Sequence, residues 1–319
     1  MRIAILGAGA TGGFLGARLA RAGTDVVLIA RGPHLQAMRE SGLRLVEPGG
    51  ESVVRVQATD DLEVVRGADF VFVTLKAHSV PAIAERLAAN LGSGSAVVSA
   101  QNGIPWWYFQ RHGGELEGTH LETVDPGGMI GRTIDPRRVI ACIVYPATSV
   151  VGPGIVRHVE GERFSLGELD GSHPERIVAL SGVLTGAGLK APVQPRIRQE
   201  LWVKLMGNAV FNPLSAITRA SLGAMAESPV LAPVVRAAME EVDAVAGRLG
   251  IEIPVSIDQR IRGAARVGEH KTSMLQDLEA GRPLEIDAIT GSVVELAGRL
   301  GVPVPHLETI YASVKVLAA

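Results

Sequence analysis

Lys204, Asn208 and Asn212 stand at successive steps of four in the run Leu201-Trp202-Val203-Lys204-Leu205-Met206-Gly207-Asn208-Ala209-Val210-Phe211-Asn212-Pro213-Leu214. On a helix they share one face, so an ammonium and two amides form a polar seam in an apolar segment. Buried groups of this kind need hydrogen-bond partners. Those partners are either carbonyls and side chains of the core or a bound molecule. A step of four by itself leaves both readings open.

A second set of residues lies near the start of the chain. Gly7-Ala8-Gly9-Ala10-Thr11-Gly12 follows the β-rich apolar run Arg2-Ile3-Ala4-Ile5-Leu6 and precedes a helix predicted over 13–22. Asp25-Val26-Val27-Leu28-Ile29-Ala30 reads as the next strand. Strand, GxGxxG, helix and strand together form the context of a dinucleotide site. The glycines allow a tight turn and close approach to a pyrophosphate, and the helix N-terminus offers free N–H groups and a positive dipole end. The second strand runs into Arg31, with no carboxylate beside it. An NAD-selective site usually places an acid there for the ribose 2′-OH, whereas a guanidinium pairs with a 2′-phosphate. NADPH is therefore expected over NADH.

These residues need a frame to hold them. A length of 319 residues suggests two domains, and 47% hydrophobic with 20% charged residues fits a soluble protein with a substantial core. The formal net charge of −2 gives no reason to expect nucleic acid as a partner. The 38 glycines suit an α/β protein rich in tight turns. Cys142, the single cysteine, cannot form an internal disulfide; it reads as a small buried hydrophobe, and a reducing cytoplasm is the expected compartment. No stretch is apolar and long enough to span a bilayer, and the short apolar N-terminus breaks at once into glycines. Neither a membrane span nor a signal peptide is expected.

Asp69–Leu75 is predicted as a buried strand that ends in Lys76, with a helix over 80–90 and a strand at Ala96–Ser99 running into Gln101-Asn102-Gly103. In a doubly wound sheet the strand C-termini line the ligand crevice, which collects Thr74, Lys76 and Asn102 there. Lys76 reads as a phosphate neighbour or as a solvated loop lysine. Asn102 reads as a neighbour of nicotinamide and substrate or as half of an Asn-Gly turn. Residues 43–57 form a hairpin about Pro48-Gly49-Gly50. Trp106-Trp107-Tyr108-Phe109 is a packing patch or, since it follows Asn102, a wall of a substrate pocket. Strands are predicted at 139–145, 154–158, 163–167 and 190–193, with a helix at 174–185. From Arg196 the pattern turns to long helices at 196–220, 229–249, 255–268 and 289–301, with one more after Pro305. Pro229, Pro254 and Pro305 suit first turns. The expected domains are thus 1–195 and 196–319. The polar stretch from Lys271 to Asp287 reads, taken alone, as an exposed loop between helices.

It does not stand alone. The order GxGxxG, Arg31, Thr74-Leu75-Lys76-Ala77, Gln101-Asn102-Gly103, Trp202-x-Lys204-x-x-x-Asn208-x-x-x-Asn212-Pro213-Leu214, Ser273-Met274-x-Gln276-Asp277 and Gly281-Arg282-x-x-Glu285-Ile286-Asp287 resembles the ketopantoate reductase (2-dehydropantoate 2-reductase) family over nearly the whole chain. The resemblance implies an N-terminal α/β Rossmann-type dinucleotide-binding domain, an all-α C-terminal domain, and an active site in the cleft between them. It implies NADPH-dependent reduction of 2-dehydropantoate to pantoate, on the route to pantothenate and coenzyme A. Lys204 then matches the catalytic lysine, with Glu285 as its catalytic companion. Asn102, Asn208, Asn212 and Ser273 match the substrate-binding set. Gly7, Ala8, Gly9, Ala10, Thr11, Gly12, Arg31, Lys76 and Asn102 match cofactor positions, and no residue is assigned to a metal.

The chemistry agrees with that assignment. Hydride addition to a ketone leaves negative charge on oxygen, and an ammonium can polarise the carbonyl and supply the proton. A positioned general acid is worth about 10²–10⁴ in rate. Glu285 can accept from a substrate hydroxyl and support Lys204 electrostatically. Leu284, where the family commonly has threonine, and the aromatic run with its glycine-rich continuation to 132 both depart from the family pattern. They flank substrate positions, so they bear on which 2-oxo acid is reduced. A paralogous reductase of another 2-oxo acid or ketone is the alternative. A nucleotide-sensing binding protein without turnover is a second, but it would have no use for a proton donor. The apolar helical domain is also compatible with a homodimer.

Overall fold

The computed structural model describes residues 1–318. The chain divides into two compact units. The first comprises Met1–Gln101, Phe109–Thr119 and Met129–Ile197; the second comprises Asn102–Tyr108, His120–Gly128 and the described residues from Arg198 onward. Two short segments upstream of residue 195 therefore group with the helices. Hydrogen bonds across long sequence separations, which no local pattern announces, tie them to the helices.

The first unit is built on β1 (Arg2–Leu6), α1 (Ala10–Arg21), β2 (Asp25–Ile29), α2 (Gly32–Ser41), β3 (Leu43–Glu47), β4 (Gly50–Val54) and β5 (Gln57–Thr59). It continues with β6 (Phe70–Val73), α3 (Ala84–Asn90), β7 (Ala96–Ser99), α4 (Met129–Thr133), β8 (Val139–Val144), β9 (Ala147–Gly152), β10 (Ile155–Glu160), β11 (Phe164–Glu168) and α5 (Glu175–Gly186). A seven-stranded sheet runs β11-β8-β7-β6-β1-β2-β5. Its neighbours are parallel except β11 on β8. The strands β6, β7 and β8 are buried along their whole length, the pattern of a parallel sheet covered on both faces. Register brings the carboxyl ends level: Leu6 pairs with Ile29 and with Val73, and Val73 with Ser99. The chain leaves β1 toward β2 on one side and returns to β6 on the other, so the switch point lies at the end of β1. A smaller sheet, β4-β3-β10-β9, carries the expected 43–57 hairpin.

Several sequence expectations are corrected here. The helix predicted from residue 13 begins at Ala10, inside the glycine motif. The helix expected over 80–90 starts as short 3-10 turns around Pro81, and α3 forms only from Ala84. The strand expected at 190–193 reduces to single bridges at Lys190 and Val193, because Pro192 between them has no N–H to give. β9 went unread because its residues are half-buried without alternation. α2 also went unread, although the proline of its opening Gly-Pro is well placed in a first helical turn.

The second unit is helical: α6 (Ile197–Thr218), α7 (Leu222–Glu227), α8 (Leu231–Arg248), α9 (Ile257–Val267), α10 (Ser273–Glu279), a π turn (Asp287–Gly291), α11 (Ser292–Leu300) and α12 (Pro305–Leu317). Of the three prolines expected in first turns, Pro305 sits there, whereas Pro229 and Pro254 precede their helices. Ser256 starts α9 instead, through a capping box with Gln259. The stretch from Lys271 to Asp287 is only partly loop: α10 occupies Ser273–Glu279, and Thr272 accepts the Leu275 N–H at 3.3 Å and caps it. Among the described residues no helix is long and apolar enough to cross a membrane.

Candidate active site

The glycine loop sits at the end of β1. The N–H groups of Gly7 and Ala8 both donate to the Ile29 carbonyl, at 3.1 and 3.0 Å, which ties the loop to the end of β2. The Thr74 hydroxyl donates to the Gly7 carbonyl at 2.8 Å and so braces the loop from the end of β6. A Cβ on Gly12 would run into the Gly7 carbonyl oxygen, would lie 2.5 Å from Thr74 Oγ1 and would press on Ile5. The loop therefore closes this tightly only with glycine there. At the other side, Gly9 is exposed, caps α1 without a side-chain bond, and has open space where a Cβ would stand. Bare backbone at a helix N-terminus, backed by a braced turn, fits the pyrophosphate of a dinucleotide. Ala8 is buried, while Ala10 and Thr11 are half-buried in the first turn of α1. Arg31 is exposed at the N-cap of α2, two residues beyond β2. Lys76 is half-buried, three residues beyond β6.

His34 supports the same region. Its Nδ1 accepts the Gly154 N–H at 2.9 Å, which requires that nitrogen to be unprotonated. Burial holds the imidazole below its usual pKa, and the Ala8 carbonyl only partly offsets this. A separate cavity of about 650 Å3 in this unit is lined by Arg18, Arg21, Glu47, His158, Glu162 and Lys190 among others, none of them a candidate residue. Its charges answer one another: Glu47 lies 2.6 Å from Arg18 and 2.9 Å from Arg21.

In the helical unit the polar seam is real. Lys204 is half-buried on α6, and its Nζ donates to Asn102 Oδ1 at 2.7 Å across 102 residues of sequence. With the carbonyl of Asn102 facing the ammonium, its NH2 is left to donate elsewhere. Asn208 is half-buried and Asn212 buried on the same helix. No hydrogen bond partners either side-chain amide among the described residues, so the seam is not absorbed by the core.

Segment 102–108 is pinned where Lys204 can reach it. Trp202 Nε1 donates to the Tyr108 hydroxyl at 2.7 Å, and Arg198 Nε donates to the Tyr108 carbonyl at 2.8 Å. At the other end, the Ile104 N–H donates to the Ala288 carbonyl at 3.0 Å. Gly103 has φ +85°, and a Cβ there would collide with the Ala288 carbonyl. Trp106, Trp107, Tyr108 and Phe109 are all buried, as the packing reading of the aromatic run expects. Segment 120–128 is held likewise: Glu295 accepts from the Glu122 and Thr123 N–H groups, both at 2.9 Å, and from the Thr123 hydroxyl at 2.8 Å. Burial alone would raise the Glu295 pKa, but these donors hold it below the usual range.

Glu285 is buried two residues before the π turn. Tyr311 of α12 braces that turn, donating from its hydroxyl to Asp287 Oδ1 at 2.6 Å; burial, then this bond, pushes its pKa up to about 12. Ser273 is exposed as the first residue of α10, and no hydrogen bond joins its side chain to α6 among the described residues. Ala288 and Glu295 are the residues that sequence reading passed over, and for Gly103 and Tyr108 it missed the contacts that fix segment 102–108.

Comparison with known proteins adds the following. Residues 3–171 match the family described as Ketopantoate reductase PanE/ApbA, and residues 196–318 match Ketopantoate reductase PanE/ApbA C terminal. A 2-dehydropantoate 2-reductase of Mesorhizobium japonicum is 50% identical over 319 residues, covering 100% of this chain and 98% of its own. The crystal structure of a Ralstonia solanacearum protein assigned as a ketopantoate reductase superposes with a TM-score of 0.93 at 40% identity, covering 99% of this chain and 97% of that one. That of a ketopantoate reductase of the PanE/ApbA family from Ralstonia eutropha superposes with a TM-score of 0.86 at 32% identity, covering 100% and 98%.

Proposed function

The chain belongs to the ketopantoate reductase family, and on that premise we propose that it reduces the ketone of 2-dehydropantoate to the alcohol of pantoate with NADPH. At the coarser level it is an NAD(P)H-dependent oxidoreductase of that family. The observation that carries the reading is the Lys204–Asn102 bond of 2.7 Å beside two amides that the core does not use.

When bound, the reduced nicotinamide supplies the hydride. The glycine loop and the N-terminus of α1 hold its pyrophosphate, and the Arg31 guanidinium takes a 2′-phosphate. Lys204 meets the charge that grows on the carbonyl oxygen and gives its proton from Nζ, a contribution of about 10²–10⁴ in rate. Asn102 holds that ammonium in line through its Oδ1 and turns its own NH2 outward. Asn208 and Asn212 orient the 2-oxo acid, and Ser273 bonds its carboxylate. Glu285 accepts from a substrate hydroxyl and favours the charged lysine. The rings of the aromatic run are buried, which supports a packing role for them over a wall of the substrate pocket.

NADPH oxidation followed with a panel of 2-oxo acids and simple ketones tests this. The expected result is the highest kcat/KM with 2-dehydropantoate. A higher value with another acid would name a paralogous activity, and cofactor binding without turnover of any of them would favour a sensor.

A further inference from the structure

Pro213 lies in the interior of α6. Proline has no N–H, and its ring crowds the carbonyl four residues back. The Ala209 carbonyl therefore lacks its helical donor, and it lies between Asn208 and Asn212. Thr290, fully buried, supplies the missing donor: its hydroxyl bonds the Ala209 carbonyl at 3.0 Å. Thr290 belongs to the π turn, which starts two residues after Glu285. Such wide turns inside helices occur often at functional sites. Two residues before Thr290, the Ala288 carbonyl accepts from the Ile104 N–H at 3.0 Å and from the Ser292 hydroxyl at 2.6 Å. One turn of chain thus touches α6 between the two amides, fixes the bend that carries Asn102, and follows directly on Glu285.

We propose that Thr290 is a positioning residue for the reduction: its bond to the carbonyl orphaned by Pro213 sets the course of α6 between Asn208 and Asn212, and with it the placing of both amides relative to Lys204. This rests on the reading of that helix face as the substrate site. A misplacement of about 1 Å in such a site costs on the order of a hundredfold in rate.

Thr290→Val keeps the shape and removes the donor; Thr290→Ser keeps the donor. The valine variant is expected to lose about tenfold to a hundredfold in kcat/KM for the 2-oxo acid, with a raised KM for that acid and unchanged NADPH affinity. The serine variant restores most of the loss. In Thr290→Val/Pro213→Ala, residue 213 regains its N–H and satisfies Ala209, so stability returns while kcat/KM stays low, because the course of the helix has changed. Wild-type kcat/KM per folded molecule in Thr290→Val would overturn the proposal, as would full recovery of activity in the double variant. Should the valine variant fail to fold, the double variant decides. Turnover by the unmodified protein is read separately: if it reduces no 2-oxo acid, the proposed function itself fails; if it does and the variants match it, only the role of Thr290 fails.

Discussion

Tyr108→Phe removes one hydroxyl from the centre of the helical unit and leaves the ring in place. Tyr108 is 1% exposed and Trp202 0%, and their rings meet edge-on at 6.5 Å and 82°. Phenylalanine keeps that contact. It takes away the acceptor of the Trp202 indole N–H, which now donates at 2.7 Å where water does not reach. Burial holds the tyrosine hydroxyl well above its usual pKa, so it stays a neutral phenol throughout the neutral range. Leaving a buried donor unpaired costs about 1–3 kcal/mol. At about 2–4 °C per kcal/mol the melting temperature falls by roughly 2–12 °C. The decisive assay is urea unfolding of the single variants and the double variant with Trp202→Phe. In the Trp202→Phe background no orphaned N–H remains, so removing the hydroxyl should cost less there, by about 1 kcal/mol or more. Equal stability of Tyr108→Phe and the parent, or the same cost in both backgrounds, would refute the reasoning.

Gly103→Ala forces a side chain into left-handed backbone at φ +85° and against the Ala288 carbonyl; a loss of about 2–4 kcal/mol in denaturant unfolding is expected, with a fall in kcat as Asn102 shifts from Lys204. Arg31→Asp should reverse the NADPH-to-NADH preference in kcat/KM, and an unchanged ratio would remove Arg31 from the 2′-phosphate. For His34 the folded pKa lies below 6.5, so the unfolded chain binds the proton more readily. Its stabilising contribution is complete above about pH 6.5 and is lost as pH falls through the folded pKa. His34→Gln should flatten the acid side of the stability–pH curve measured by thermal unfolding, and an unaltered slope would assign that slope to other groups.

The glycine loop was legible because its signal is local: a strand, six residues and a helix in one short run. The parallel sheet was legible because its central strands are unbroken apolar runs. What failed was mostly punctuation. The helix that starts at Gly32-Pro33 went unread, and Thr272 hides a cap in a run of polar residues. The seam on α6 showed its spacing but not its use, because Lys204 donates to Asn102, 102 residues away. The π turn could not be read from periodicity, but Pro213 inside a predicted helix was a usable sign. A proline there orphans the Ala209 carbonyl, and some donor elsewhere in the chain has to answer it.

The central claim is that Lys204 delivers the proton. Its most direct test is the kcat of Lys204→Ala with NADPH and 2-dehydropantoate, measured beside the affinity of the same variant for NADPH. The expected outcome is a kcat lower by about 10²–10⁴ with cofactor affinity held within about twofold. Turnover close to that of the unmodified protein would contradict it.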